Sequence, residues 1–188
     1  MLRIAAGGVV FGGLLMLLSP AAPVHADEIE VREVALRRVD EGLSLDVDFG
    51  FELTPRLAEV LANGVPLYFS VEFELTRRRW YWFDETAASR RLSLRLSYHA
   101  LSRQYRVSTG LLQQSFPSLE EALNVLQRVR NWLVVDRSVR LADADYEAAV
   151  RMRLDTAQLP KPFQLSALTG RELHLDSSWK RFIVRGPR

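Results

Sequence analysis

The residues whose types could do chemistry are few and scattered. Three histidines stand at His25, His99 and His174, with none of the H-E-x-x-H or H-x-H spacing that brings two imidazoles to one metal. Ser97 and Ser102 flank His99, and Asp176 follows His174, so the residue types of a serine hydrolase are present. The G-x-S-x-G elbow that lifts a nucleophile onto a sharp turn is missing. Polar side chains on the wet face of a strand account for both groups, and Glu172-Leu173-His174-Leu175-Asp176 alternates like a strand edge. The acid pairs Asp46/Asp48 and Glu72/Glu74 could hold calcium or act as an acid–base pair if their strands were neighbours. No D-x-D-x-D-G loop supports calcium, and Arg37, Arg38, Arg95, Arg151 and Arg153 offer cross-strand partners instead. The sequence therefore assigns no catalytic residue, no metal ligand and no cofactor, and predicts a protein that is not an enzyme.

The most unusual stretch is Arg77-Arg78-Arg79-Trp80-Tyr81-Trp82-Phe83. On a strand, Trp80 and Trp82 share one face, and Tyr81 and Phe83 share the other. One face can be core; the second then needs a cover or a ligand. Burial beneath a helix or loop is the simpler reading, because sheets covered by helices are apolar on both sides. The functional reading makes Arg77, Arg79, Trp80, Tyr81, Trp82 and Phe83 a platform for a sugar, a lipid headgroup or a partner protein, since arginine and aromatic rings are the usual anchors.

The first residues read as an address. Met1-Leu2-Arg3 supplies one positive charge, Ile4–Leu18 is an unbroken apolar and glycine run, and Ser19-Pro20 breaks it. Val24-His25-Ala26 then offers the small or apolar positions a signal peptidase reads, which predicts cleavage after Ala26 and export to the periplasm. The apolar run is shorter than the roughly 20 residues of a bilayer-crossing helix, and its glycine pairs weaken it further. The competing reading is an uncleaved N-terminal anchor in the inner membrane. No later stretch is apolar for long enough to cross a membrane. The expected organisation is a signal peptide over residues 1–26 and one domain over residues 27–188.

The elements that must position these residues are mostly strands. Leu43, Leu45, Val47, Phe49, Phe51 and Leu53 alternate with polar residues, as do Val65–Leu75, Leu92–Tyr98 and Tyr146–Leu154. Weaker strands are expected at Ile29–Val39, Arg79–Asp84, Ser102–Ser108, Trp132–Asp136 and Trp179–Arg185. One wet face per strand is the habit of antiparallel sheets. Thr54-Pro55 predicts a short helix over 55–63, capped by threonine and ended by Asn63-Gly64. Ser118 and Glu121 form a capping box that opens a helix over 118–131, with Leu119, Ala122, Leu123, Leu126 and Val129 on one side and Arg128 and Arg130 in its last turn. Leu159-Pro160-Lys161-Pro162-Phe163 reads as an extended crossing loop. The fold expected is mainly β, α+β at the margin: an antiparallel sandwich or half-open barrel of about eight or nine strands with one amphipathic helix and one short helix.

Composition agrees. Of 188 residues, 48% are hydrophobic and 26% charged, which is globular and excludes a disordered chain. The absence of cysteine excludes disulfides, thiolate metal sites and a lipidated cysteine. A net charge of +2, with an export signal, argues against a dedicated nucleic-acid binder.

Several segments carry a resemblance: Phe51–Leu57, Gly64–Phe69, Arg79–Glu85, Leu96–Val107 and Arg153–Phe163. Together they resemble a family of exported proteobacterial proteins catalogued as a domain of unknown function, whose genes often lie near a nitrogen-regulation-type sensor kinase. The resemblance covers the chain after the leader and implies a signal peptide and one compact domain; it implies no activity or catalytic residue. The function expected is a non-enzymatic binding domain for an envelope component or membrane partner protein, with a lipid- or hydrophobe-carrying β-cup and a cofactor-free hydrolase as the alternatives.

Overall fold

The computed structural model describes residues 28–77, 85–169 and 171–186. In chain order they form β1 (Glu30–Val39), β2 (Gly42–Gly50), α1 (Pro55–Ala62), β3 (Leu67–Arg77), β4 (Glu85–His99), β5 (Gln104–Thr109), β6 (Leu112–Phe116), α2 (Leu119–Leu126), β7 (Arg128–Asp136), β8 (Asp145–Leu154), α3 (Lys161–Thr169) and β9 (Lys180–Arg185). Single-turn 3-10 helices at Thr156–Gln158 and Arg171–Leu173 flank α3. All strand pairs are antiparallel and fall into two sheets, β1-β2-β7 and β6-β5-β4-β3-β8-β9. Neither sheet closes on itself, so the arrangement is β-sandwich-like, as expected, and not a closed barrel.

Alternation explains the layering. In β3, Leu67, Phe69, Val71, Phe73 and Leu75 are fully buried, while Tyr68, Ser70, Glu72 and Glu74 lie on the opposite side. Phe49 and Leu45 of β2, Phe69 and Phe73 of β3, Leu96 of β4, Met152 of β8 and Leu126 of α2 belong to one core. Burying each large apolar side chain stabilises the fold by about 1.5–3 kcal/mol. The helices cover the same interior: Leu57, Val60 and Leu61 of α1 and Ala122 and Leu126 of α2 are buried.

Several expected boundaries move. β2 ends at Gly50, and Phe51–Leu53 leave the sheet toward α1. Ser118 caps the helix as expected, with the Glu121 N–H donating to Ser118 Oγ at 3.2 Å, but α2 stops at Leu126. Arg128 and Arg130 belong to β7, not to a last helical turn, because the Phe49 N–H donates to the Gln127 carbonyl and zips the chain onto β2. The crossing loop becomes helix from Lys161 onward; Pro162 is in the first turn, where a missing N–H breaks no helical bond. β6 was not anticipated, and Trp179 precedes β9. The expected strand Arg79–Asp84 lies outside the described residues.

Candidate functional site

The outer face of the six-stranded sheet gathers arginine. Across β3, Arg95 of β4 is opposite Tyr68, and Ser93 and Arg153 are opposite Ser70. Arg91 of β4 and Arg151 of β8 flank Glu72. Farther out, Ser108 of β5 is opposite Arg95, and Arg106 is opposite Ser97. Because side chains alternate, these five arginines share one surface with Glu72 and Glu74.

Glu72 is the hub. Its Oε2 accepts from Arg151 Nε at 2.7 Å, and Arg151 Nη2 approaches it at 2.6 Å. Its Oε1 accepts from Arg91 Nη2 at 2.8 Å and lies 3.1 Å from Arg153 Nη2. The Glu72 side chain is 10% exposed, against 64% for Arg91, 32% for Arg151 and 40% for Arg153. Burial pushes the Glu72 carboxyl up, but the Arg151 hydrogen bond and the charges of Arg151, Arg153 and Arg91 outweigh it, so its pKa falls below the ordinary carboxylate value. Trp179 stacks on Arg151, with the guanidinium carbon 4.4 Å from the ring centroid. Arg95 lies over Tyr68 at 5.8 Å.

One carboxylate cannot neutralise three guanidiniums. Each arginine keeps donors that Glu72 does not use, in the planar fork that matches carboxylate and phosphate. Two buried polar atoms on this face have no hydrogen-bond partner: Ser70 Oγ and Arg106 Nε. The surface thus carries several arginines oriented around one central acid.

The other sequence candidates separate. Asp46 and Asp48 belong to β2, in the other sheet from Glu72 and Glu74, so the four acids form no common site. Arg37 and the Asn131 backbone N–H take Asp46, and Arg130 takes Asp48. The expected arginine pairing is thus realised at Arg37, Arg151 and Arg153; Arg95 stacks on a ring instead, and Arg38 has no ion pair among the described residues. His99 Nδ1 meets Ser102 Oγ at 3.1 Å and the Ser102 backbone N–H at 3.4 Å, in the exposed β4–β5 turn. His174 Nε2 lies 2.6 Å from the Ala167 carbonyl; the start of its segment is a 3-10 turn, while Asp176 bridges Arg153 of β8 and Glu28 in strand fashion. No group of three or more His, Asp or Glu placed to hold a metal occurs among the described residues. Arg77 pairs with Glu85 at 2.6 Å. Arg79, Trp80, Tyr81, Trp82, Phe83 and the cleavage position Ala26 lie outside the described residues. Arg91 is the partner the sequence reading missed; the outward parity of β4 was visible, but not which strand lay beside it.

Two antiparallel sheets around one core, with helices on the inner side and a polar outer face, define a β-sandwich-like α+β domain. Over residues 26–183 the chain matches the family described as a domain of unknown function (DUF4390), and it belongs to that family. No curated protein and no solved structure matches it. No helix of the described residues is long and apolar enough to cross a membrane.

Proposed function

We propose that this chain is an exported, non-enzymatic binding domain: a leader cleaved after Ala26, then one domain over residues 27–188 that works in the periplasm. Its arginine face holds anionic groups of an envelope component or of a membrane partner protein. The single observation that carries this reading is the excess of oriented guanidinium around Glu72 on an outer sheet face. The start of the family match at residue 26, where the leader pattern ends, supports the two-part organisation. The filled interior between the sheets favours a solid module over a lipid-carrying cup. The resemblance to exported proteobacterial proteins encoded near a nitrogen-regulation-type sensor kinase makes such a kinase the first membrane partner to try.

The test is binding to phosphatidylglycerol vesicles and to soluble polyglutamate, against phosphatidylcholine vesicles and polylysine. Retention by either anionic probe, weakened by salt and lost in Arg91→Ser/Arg95→Ser, is the expected result. Both positions are chosen because Arg151 and Arg153 remain to hold Glu72. Equal retention by neutral vesicles, or anionic binding untouched in the double variant, would sink the reading.

A further inference from the structure

A groove of about 940 Å³ opens between β1, the Phe51–Leu53 connection and α2. It shares no residue with the arginine face. Its apolar lining comes from Phe51, Leu53, Leu119 and Leu123. Leu119 and Leu123 are one turn apart on α2, half-buried, while Ala122 and Leu126 of the same helix point into the core. The helix therefore carries more apolar surface than its core contact uses. Gln127 fixes the groove's end by donating from Nε2 to the Phe51 carbonyl at 2.7 Å.

The rim is predominantly acidic. Glu28, Glu30, Glu52 and Glu120 line the groove and are exposed. The one cation among the lining residues, Arg32, lies 3.4 Å from Glu30, so it offsets a single acid. Glu28, Glu52 and Glu120 have no ion-pair partner among the described residues. A concave apolar lining beneath an acidic rim is complementary to a segment that is apolar on one side and basic on the other.

The form of that segment follows from β1. It is an edge strand, which could add an extended chain, but its register shifts between Val31 and Glu33. A bulge of this kind interrupts the ladder and blunts strand addition. We propose that the groove receives a cationic amphipathic helix of a partner protein. Leucine-type side chains rest on Phe51, Leu53, Leu119 and Leu123, and lysine or arginine meets Glu28, Glu52 and Glu120. This does not rest on the anion reading, since the two surfaces have opposite sign and separate residues.

The probe is a labelled leucine–lysine peptide with leucine at i, i+3, i+4 and i+7, followed by fluorescence anisotropy with the protein as its cells produce it. The peptide is expected to bind; its scrambled form and its leucine–glutamate counterpart are not. Glu52→Lys/Glu120→Lys should weaken binding by about tenfold or more, because a favourable rim becomes a repulsive one. Both residues are exposed, so the core is not at risk. Leu123→Asp tests the floor in the same way, and Glu41→Lys, on the remote β1–β2 turn, should change nothing. Absence of binding, equal binding of the scrambled peptide, or indifference to the rim reversal would overturn the proposal. So would two other outcomes. A dimer dissolved by the rim reversal would assign the groove to a second copy. Peptide binding that appears only after removal of residues 1–26 would assign it to the chain's own leader.

Discussion

On the proposed anion-binding reading, Glu72 couples stability to binding in opposite directions. Its carboxylate ties Arg91, Arg151 and Arg153 together, and each of them is more exposed than the acid they share. Glu72→Gln keeps the shape, removes the charge and leaves three guanidiniums repelling one another. The expected loss is about 1–2 kcal/mol, less than for a fully buried ion pair because solvent screens the arginines. The pH dependence follows from the lowered pKa. The contribution is fully present above the unfolded carboxyl value and is lost as pH falls through the lower folded value. Urea unfolding should therefore separate wild type from Glu72→Gln at pH 7 and bring them together once the pH has fallen below the lowered folded value; a constant gap would mean that the charge is not the cause. The same variant frees guanidinium donors, so it should hold polyglutamate more tightly than wild type while being less stable. Outward parity made Glu72, Arg151 and Arg153 readable as candidate partners from sequence. It could not place Arg91 with them, since neighbours in a sheet depend on strand order, and it gave no hint that Asp46 and Asp48 would end in the other sheet.

At the scale of elements, caps and turns decide where the chain changes sheets. Thr54, 4% exposed, ties the start of α1 to the Arg171–Leu173 turn through two bonds. Its Oγ1 accepts from the Leu57 N–H at 3.2 Å and donates to the Glu172 carbonyl at 2.6 Å. Thr54→Ala removes a helix cap and orphans a carbonyl, at an expected cost of about 1–2 kcal/mol; Thr54→Ser should recover most of it in the same denaturation assay. Gly42 opens β2 at φ +142°, and a Cβ there would lie 2.0 Å from the Val135 carbonyl oxygen of β7. Backbone cannot swing aside as a side chain can. Gly42→Ala should cost more than about 1 kcal/mol and lower the thermal midpoint, with β1–β2 amides losing hydrogen-exchange protection first. The Thr54 and Ser118 caps and the strongly alternating strands were legible because each is a local signal. β6 was not: Leu112-Gln113-Gln114-Ser115-Phe116 is an edge strand with no buried face to impose alternation. The end of α2 was not legible either, because Val129 suits a helical stripe as well as a strand, and only pairing with β2 at Val47 decides between them. In α3 the two prolines suggested a loop, although a proline in the first turn is equally a helix start.

The whole molecule joins its two sheets by chain crossings as well as by contact. The chain passes from β2 through α1 to β3, returns from β6 through α2 to β7, and crosses again to β8. Phe49 of the small sheet and Phe69 and Phe73 of the large one belong to the same buried cluster, all at 2% exposure or less. Opening the small sheet would strip the inner face of the large one, so neither sheet has a core of its own. The unfolding of the domain should then be all-or-none. Native-state hydrogen exchange gives the sharpest check. The amides of Leu45 and Val47 in β2 should open with the same free energy as those of Val71 and Phe73 in β3, and Phe49→Ala should lower both sets equally, by about 3–5 kcal/mol. If β2 exchanged well before β3, or if the substitution were felt in β2 alone, the sheets would be separable units. The outer arginine face would then fold without the small sheet, and a fragment lacking β1 and β2 would retain polyglutamate binding.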